Sequence, residues 1–142
     1  MTIVRIETDD QILSTRHVML QLRPHIPAGD YLETVRRLMQ TDRYALAAAL
    51  DDAGVVRAVA GYRLMNMLYC GHILSIDDLI TDDTARSGGY GKQLLDWLKD
   101  EARTNGCKEV HLDSRVQREQ AHRFYFRERF GITAFHFVAT VG

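Results

Sequence analysis

The sequence predicts a single α/β domain in which helices flank a mixed, mostly antiparallel twisted sheet. The chain has 142 residues, which is enough for one domain with a buried core. Hydrophobic residues make up 46% and charged residues 26%, the fractions of an ordinary globular protein. Segments of alternating apolar residues and segments of helical periodicity follow one another in the order β-α-α-β-β-β-α-β-α-β. No linker or internal repeat interrupts them, so residues 1–142 are predicted to form one domain.

One strand and two helices are predicted for the first third of the chain. Residues 2–8, TIVRIET, alternate apolar and polar side chains as a strand does. The first helix is predicted to be capped by Asp9 and Asp10 and to end at Pro24, because proline cannot continue a helix. The second helix has one apolar face, formed by Tyr31, Leu32, Val35, Leu38 and Met39.

An antiparallel meander of three or four strands is predicted next. Residues 44–50, YALAAAL, suit either a helix or a strand. The turn that follows at 51–54 favours a strand, because such a turn most simply connects the two strands of a hairpin. Residues 55–68 then extend to a second turn at 69–71. The segment HILSIDDLI, residues 72–80, is the last strand of this meander.

The final third is predicted to contain helix, strand, helix and strand. The first helix, residues 90–104, precedes an Asn-Gly pair that suits a C-terminal cap. A strand follows at 108–114, a helix at 118–130 and a last strand at 132–141, ITAFHFVATV.

Composition and charge argue against several kinds of partner. The formal net charge is −1, so no general attraction to nucleic acid or to a membrane surface is expected. No apolar run approaches the roughly 20 residues that span a bilayer, and residues 1–10 lack a signal-peptide pattern. Cys70 and Cys107 lack metal or redox spacing, which favours reduced thiols in a cytoplasmic protein, although a disulfide between them stays open. No metal site is predicted, because the histidines also lack the spacing of metal ligands. They are His72, His111, His122 and His136.

Three glycines in four residues precede the helix at 90–104, in the stretch TARSGGYGKQLL. A simple turn needs only one glycine. The phosphate loop of nucleotide-binding enzymes is excluded, because Arg86 and Gln93 stand where that pattern requires glycine and serine or threonine. The dinucleotide fingerprint is excluded because Leu94 stands at its third glycine.

Ser87 offers a second interpretation, a hydrolase nucleophile. It lies in a loose small-x-Ser-x-Gly match, and Asp113 and His136 follow in the order of a catalytic triad. A nucleophilic serine of this type must directly follow a strand, however, and residues 81–85 intervene here.

A pyrophosphate site at a helix N-terminus is the interpretation that the pattern favours most. Glycines allow close approach, and the first amides of a helix have no partners within the helix. The helix dipole favours an anion there, and Arg86 and Lys92 add charge-assisted contacts.

Two sequence blocks then resemble the GNAT superfamily, the N-acyltransferases that use acetyl-CoA or another acyl-CoA. The run Arg86-Ser87-Gly88-Gly89-Tyr90-Gly91 matches the family signature Arg/Gln-x-x-Gly-x-Gly/Ala. Downstream, residues 118–130 resemble the family's second block, with Ala121 before Phe124-Tyr125. The order of elements also matches, so the resemblance spans nearly the whole chain.

The resemblance implies transfer of an acetyl group from acetyl-CoA, as cosubstrate, to a primary amine of a small molecule or of a protein lysine or N-terminus. It implies that the main chain at 79–81 pairs with the pantetheine arm as an added strand. A homodimer is possible, because members of this superfamily are often dimers. The residues implied to contact the cosubstrate are Leu79, Ile80, Thr81, Arg86, Ser87, Gly88, Gly89, Tyr90, Gly91, Lys92 and Arg118.

The sequence departs from the family pattern at two positions. Arg118 stands where many members have an asparagine that contacts the cosubstrate, and an arginine there still reaches a phosphate. Arg129 stands where many have a glycine, and Gly131 is expected to take over as the cap of the last helix.

The resemblance also implies catalytic roles. Tyr125 is implied as the general acid that protonates the departing thiolate; the alternative is a core aromatic residue beside Phe124. Asp77 and Asp78 are implied to bind the substrate ammonium or relay its proton; the alternative is that both cap a strand end or pair with arginines. Consecutive strand residues face opposite sides, so at most one is expected in the acceptor cleft. A catalytically silent acyl-CoA-binding module on the same fold is the rival function.

Overall fold

The computed structural model describes Met1–Gly142, and its contacts divide the chain into two compact units, Met1–His111 and Leu112–Gly142. The α/β fold class is confirmed, while the assignment of the whole chain to one domain stays a prediction. None of the helices is both long and apolar enough to cross a membrane. The elements are β1 (Thr2–Ile6), α1 (Asp9–Leu22), α2 (Tyr31–Asp42), β2 (Ala45–Leu50), β3 (Val56–Met67), β4 (Gly71–Thr81), α3 (Tyr90–Thr104), β5 (Glu109–Leu112) and α4 (Glu119–Arg127), with 3₁₀ turns at Ala28–Asp30 and Asp83–Gly88.

The strands form one sheet in the order β1-β2-β3-β4-β5, and each of the first three neighbouring pairs is antiparallel. The predicted meander is therefore confirmed, including the strand assignment of the alanine-rich segment. Ala47, Ala48 and Ala49 of β2 are completely buried, because helices pack against this part of the sheet. A strand covered on both faces does not show the apolar–polar alternation of a surface strand, which explains its ambiguous sequence.

The first helix begins one residue earlier than the predicted cap. Thr8 is the N-cap, and its side chain accepts a hydrogen bond from the Gln11 amide at 3.2 Å. The Gln11 side chain accepts one from the Thr8 amide at 3.0 Å in return, which completes a capping box. Asp9 and Asp10 lie in the first turn instead, where their negative charges interact favourably with the positive end of the helix dipole.

A β-bulge interrupts the pairing of β3 with β4. Gly61 pairs with Asp78 and Tyr62 pairs with Ile76, so Asp77 is the extra residue on β4. A bulge locally breaks the strict alternation of side chains. The strict alternation behind the expectation that Asp77 and Asp78 face opposite sides therefore does not apply at this point of β4.

The predicted last strand is wrong for the single chain. Residues 132–141 form no strand, and every residue from 131 to 142 is exposed. Aromatic and β-branched residues suit a strand, but a strand also needs a partner, and the sheet of this chain contains five strands without it. The predicted cap at Gly131 is also wrong, because α4 ends earlier and Arg129 itself adopts the left-handed conformation, with φ at 70°.

Candidate functional site

Asp78 is fixed by two side chains from distant parts of the sequence. Arg23 Nε donates a hydrogen bond of 2.8 Å to Asp78 Oδ1, and the Tyr44 hydroxyl donates one of 2.7 Å to Asp78 Oδ2. Burial, followed by the negative charge of Asp78, raises the pKa of Tyr44 well above its usual value. Tyr44 therefore stays protonated and remains a hydrogen-bond donor to this carboxylate.

The contact between Tyr44 and Asp78 depends on a glycine in the neighbouring strand. Gly61 lies directly opposite Asp78 in the register of β3 and β4. A Cβ atom at Gly61 would lie 1.8 Å from the Tyr44 hydroxyl oxygen, far inside any allowed contact. Gly61 is not among the site residues predicted from the sequence, although an isolated glycine inside a strand is a known signal of close approach.

Asp77 is engaged separately from Asp78. Arg63 donates two hydrogen bonds to its carboxylate, from Nε at 2.6 Å and from Nη2 at 3.0 Å. The Asp77 carbonyl accepts a third bond from Arg23 Nη2 at 3.1 Å. Both aspartates thus pair with arginines, as the structural alternative in the sequence analysis held. The bidentate pair at Asp77 anchors the bulge of β4.

Asp78 also lines a cavity of about 170 Å³, whereas Asp77 does not. The cavity is smaller than the roughly 300–1,000 Å³ of pockets for drug-sized ligands, so it suits a small chemical group. Asp78 is its only acidic residue, and Arg23 and His25 are its basic ones. The lining comes from α1, α2, the connection between them, β4 and the residue before β2, and comprises Met19, Arg23, His25, Ile26, Tyr31, Thr34, Val35, Leu38, Tyr44 and Asp78.

Leu79, Ile80 and Thr81 form the end of β4 directly after Asp78. On one side they pair with residues 58–60 of β3. On the other side the neighbour is β5, which has 4 residues against the 11 of β4. The His111 ring of β5 lies 6.3 Å from the Tyr69 ring, beside the start of β4. The far end of β4, at residues 79–81, therefore extends beyond β5.

The glycine-rich segment forms the entrance to α3. Gly89 is the N-cap with φ at +78°, a conformation that favours glycine, and no side chain caps the helix. Residues 86–89 are exposed, so the first amides of α3 are accessible to an anion. Arg86 Nη2 pairs with Asp83 at 2.6 Å, and Lys92 Nζ pairs with Asp96 at 2.9 Å. The remaining predicted residues of this segment, Ser87, Gly88, Tyr90 and Gly91, lie in the same turn and first helical turn.

Tyr125 and Arg118 lie in the second unit. Tyr125 is 9% exposed, and its ring packs against Phe124 and Phe130 at centroid distances of 5.6 and 5.9 Å. Burial raises its pKa above the usual value, and the positive charge of Arg118 opposes this shift. The phenol therefore stays protonated at neutral pH. Arg118 occupies the N-cap position of α4.

The geometry required of a hydrolase nucleophile is not present at Ser87. Ser87 lies within the 3₁₀ turn Asp83–Gly88, not at the end of β4. His136 Nδ1 lies 3.2 Å from Asp113 Oδ2, but these side chains are 63% and 79% exposed. A catalytic pair of this kind is expected to be buried and oriented, so the hydrolase interpretation loses its support.

One group of metal-ligating side chains comes together that the sequence spacing did not indicate. Ligand atoms of Cys70, Glu109 and His111 lie within 4.8 Å of one another. His111 Nε2 already contacts Glu109 Oε1 at 2.9 Å. Cys70 is in the turn before β4 and the other two are in β5, so no local motif links them. Three ligands are one fewer than a structural zinc site uses.

Comparison with known proteins gives consistent matches. A family model described as "Acetyltransferase (GNAT) family" matches residues 12–132. The chain is 37% identical over 116 residues to the uncharacterized N-acetyltransferase YhdJ of Bacillus subtilis (strain 168), covering 82% of this chain and 80% of the relative. It is 32% identical over 89 residues to the aminoalkylphosphonate N-acetyltransferase of Salmonella typhimurium (strain LT2), covering 63% of this chain and 58% of that relative.

Solved structures share the fold over nearly the full chain. Aminoglycoside N-acetyltransferase AAC(6')-Iy, in complex with the bisubstrate analog CoA-S-monomethyl-acetylneamine, matches with a TM-score of 0.84 at 19% identity, over 99% of this chain and 97% of that chain. At this level of identity the likeness establishes the fold.

Proposed function

Since the chain belongs to the GNAT acetyltransferase family and is an acyltransferase, we propose that it moves an acetyl group from acetyl-CoA to the primary amine of a small molecule. The observation that carries the proposal is the position of Asp78. Its carboxylate lines a small cavity, and the next residues along the chain are the end of β4 that extends beyond β5. An ammonium group bound at Asp78 would therefore lie beside the strand that we assign to the acetyl donor.

The donor is proposed to bind through its pyrophosphate at the start of α3. The amides at residues 87–92 would donate the hydrogen bonds, and Arg86 and Lys92 would supply positive charge. Each of these two side chains forms an ion pair with an aspartate, so a bound phosphate would compete with that aspartate for the positive charge. We assign Arg118 a supporting contact with a phosphate. Both cysteines are free thiols, and we place the reaction in the cytoplasm.

The pantetheine arm is proposed to lie along residues 79–81 as an added strand. Main-chain hydrogen bonds give affinity to an extended ligand without specific side chains. The same stretch would supply N–H groups to the oxygen of the tetrahedral intermediate, with Ile80 as the central residue.

The acceptor is proposed to be a small amine that also carries an acidic group. Asp78 attracts the ammonium, while Arg23 offers positive charge and His25 a polar ring in the same cavity. The relative from Salmonella typhimurium is named for an acceptor of this kind, an aminoalkylphosphonate. A protein lysine or N-terminus is the other acceptor class, and a cavity of about 170 Å³ suits it less well than a small molecule.

The reaction needs three proton movements. The ammonium first loses a proton to solvent, through water held at Asp78, because a carboxylate alone is a weak base. The amine nitrogen then attacks the thioester carbonyl and loses its second proton through the same water, after which the tetrahedral intermediate collapses and the carbon–sulfur bond breaks. We assign the proton for the departing thiolate to the Tyr125 hydroxyl, which stays protonated because burial raises its pKa. The products are an N-acetyl amide and CoA.

Two measurements test this proposal. Calorimetric titration with acetyl-CoA should give micromolar binding, and a panel of amines should then release CoA thiol, with aminoalkylphosphonates above polyamines and lysine peptides. Asp78→Asn should raise the KM for the amine by roughly tenfold or more without changing acetyl-CoA affinity. Asp10→Asn, at an exposed position in α1, is the matched control and should behave as the wild type. Absence of acetyl-CoA binding would refute the proposal.

The rival function, a silent acyl-CoA-binding module, predicts a different pattern. Binding of acetyl-CoA would then remain, no amine of the panel would release CoA, and Tyr125→Phe would change nothing. Turnover that falls with Tyr125→Phe while acetyl-CoA affinity is kept would exclude this rival.

A further inference from the structure

One thiol, one imidazole and one carboxylate meet where the turn between β3 and β4 lies beside β5. A ligand atom from each of Cys70, His111 and Glu109 lies within 4.8 Å of the other two. All three residues belong to the unit Met1–His111. The cluster is separate from the cavity at Asp78, because the step from Gly71 to Asp78 along β4 covers roughly 23 Å of extended chain.

Glu109 and His111 project from the same face of β5, because they are alternate residues of the strand. Their side chains are already in contact, with His111 Nε2 2.9 Å from Glu109 Oε1. The Glu109 side chain is 56% exposed and the His111 side chain is 29% exposed. A dissolved metal ion can therefore reach both side chains without any opening of the fold.

The second ring nitrogen of His111 has a partner of its own. His111 Nδ1 lies 3.5 Å from the Tyr69 hydroxyl oxygen. A metal-bound imidazole almost always donates its other N–H to a nearby oxygen, which fixes the tautomer and the orientation of the ring. With the proton on Nδ1, facing Tyr69, Nε2 is left as the unprotonated nitrogen on the side of Glu109. The surroundings of His111 thus favour the tautomer that a metal ion requires.

Cys70 supplies the third donor atom from a turn whose backbone is well defined. Gly71 follows it with φ at +76°, a conformation that favours glycine, and β4 begins at that residue. Cys70 is a half-buried free thiol, so its sulfur is not consumed by a disulfide. Thiolate and imidazole together are typical zinc ligands, whereas magnesium and calcium prefer oxygen ligands. The donor set therefore points to zinc.

The spacing of the donor atoms is close to that of a zinc site. Zinc bonds of about 2.0–2.3 Å place tetrahedral ligand atoms roughly 3.3–3.6 Å apart. The distance from Nε2 to Oε1 is slightly shorter, at 2.9 Å, and no pair of ligand atoms in the cluster is more than 4.8 Å apart. Side-chain rotation can close these differences. Three protein ligands with a water molecule in the fourth position form a complete tetrahedral site.

We propose that Cys70 Sγ, Glu109 and His111 Nε2 bind one Zn²⁺, with a water molecule as the fourth ligand. On binding, the Cys70 thiol gives its proton to solvent, and the ion replaces the direct contact between His111 and Glu109. The ion links the turn between β3 and β4 to β5, so it acts as a cross-link within the unit Met1–His111. This site is independent of the proposed acetyl transfer.

Zinc titration of the full chain, freed of metal by a chelator and kept reduced, tests the site. Calorimetry should give one Zn²⁺ per chain with micromolar or tighter affinity. The melting temperature should rise with zinc, because the ion binds the folded state, and should return to its starting value when the chelator is added. Cobalt(II), used as a spectroscopic probe, should give a thiolate charge-transfer band in the near ultraviolet that zinc then removes. Magnesium should produce neither effect.

Alkylation of the wild-type chain identifies the thiol without any substitution. Zinc should slow the reaction of Cys70 with iodoacetamide, and peptide mass spectrometry reads each cysteine separately. Cys107 is 7% exposed and lies outside the cluster, so it is the internal control. Slowing of both cysteines by the same factor would show that zinc acts on overall stability alone, and this would contradict the proposal.

Two variants and a matched control assign the ligands. Cys70→Ser should remove the cobalt charge-transfer band. His111→Gln should weaken zinc binding by at least roughly tenfold, since the loss of even an outer partner of a ligand costs about that much. His72→Gln is the control, because His72 lies beside the same turn but its Nδ1 contacts Asn66 at 2.9 Å instead.

Three outcomes would overturn the proposal: no binding of zinc at micromolar concentration by the wild type, binding that Cys70→Ser and His111→Gln both leave unchanged, or binding without a thiolate band and without protection of Cys70. The wild-type measurements do not depend on whether the variants fold. Acetyl-CoA binding is measured separately and does not decide this question.

Discussion

The Tyr44 hydroxyl donates a hydrogen bond of 2.7 Å to Asp78 Oδ2, and it occupies the space that a side chain at Gly61 would fill. Tyr44 is the residue immediately before β2, and Asp78 is the residue immediately after the bulge of β4. The bond orients the one acidic side chain of the small cavity. Its donor, its acceptor and the glycine between them can each be changed separately.

Gly61→Ala is expected to displace Tyr44 from Asp78. The added Cβ would lie 1.8 Å from the Tyr44 oxygen, so the ring must move. We expect the free energy of unfolding to fall by about 1–3 kcal/mol, as for other overpacked sites, and the KM for the amine to rise. Urea unfolding measures the first effect. Gly29→Ala is the control, because nothing lies within 4 Å of its Cβ position. Equal unfolding curves for the two variants would contradict the prediction.

Tyr44→Phe tests the same bond without adding volume. It leaves Asp78 Oδ2 without this donor in a half-buried site, which is expected to cost about 1–3 kcal/mol of stability. The KM for the amine should rise while the affinity for acetyl-CoA stays the same. Tyr69→Phe, at a tyrosine that is 76% exposed, should change stability by less than about 0.5 kcal/mol. A Tyr44→Phe enzyme with wild-type amine kinetics would show that the bond does not orient the acceptor.

Gly89→Ala is expected to weaken acetyl-CoA binding. Gly89 has φ at +78°, and an alanine in that region costs roughly 1–2 kcal/mol. Relief of this strain would rotate the first amides of α3 away from the pyrophosphate. Calorimetry should show a loss of affinity of about tenfold, since this corresponds to roughly 1.4 kcal/mol. Unchanged affinity for acetyl-CoA would place the pyrophosphate elsewhere.

Tyr125→Phe should lower kcat by roughly 10²- to 10⁴-fold, the usual contribution of a general acid. The affinity for acetyl-CoA should stay unchanged, because the ring still packs against Phe124 and Phe130. Burial raises the pKa of Tyr125, so its loss of a proton should reduce kcat only at pH values above the usual tyrosine range near 10. A pH–rate profile checks this. If kcat of the wild type falls near pH 7, and this fall is absent from Tyr125→Phe, the role of Tyr125 as general acid would be excluded.

Stability above pH 10 should depend on Tyr62. Burial is the main cause that raises the pKa of Tyr62 to about 12, above the usual value of 10.0. The folded state therefore favours the neutral phenol, and this contribution is complete below pH 10 and is lost as the pH rises toward 12. The loss can reach about 3 kcal/mol.

Tyr62→Phe removes this contribution, so urea unfolding from pH 8 to 11 should show a shallower alkaline decline for the variant. The other tyrosines are present in both proteins, and their effects cancel in the comparison. Parallel stability curves for the two proteins would contradict the assigned cause.

The local elements of the first unit follow from sequence because their causes are local. Apolar periodicity places the helices, and turn residues separate the strands, so the meander and the helix after Gly89 are predicted correctly. The cap of α1 is misplaced by one residue, because Asp9, Asp10 and Thr8 are all good capping residues and only the backbone geometry selects Thr8.

The candidate site was predicted in part. The paired aspartates, the glycine-rich entrance to α3 and the end of β4 are visible as short patterns. The partners Arg23 and Tyr44 lie 55 and 34 residues from Asp78, and no periodicity relates positions so far apart. The bulge at Asp77 is also invisible locally, because it exists only in the register between two strands.

The sequence alone determined the α/β class, the order of elements up to α4 and the glycine-rich start of α3, since each depends on neighbouring residues. Tertiary structure alone decided that Asp78 lines the cavity while Asp77 anchors the bulge, and that Gly61 admits Tyr44. It also decided that residues 132–141 remain unpaired in a single chain. Propensity is a property of a segment, whereas a contact requires a second segment at the right distance, and only the folded chain specifies that distance.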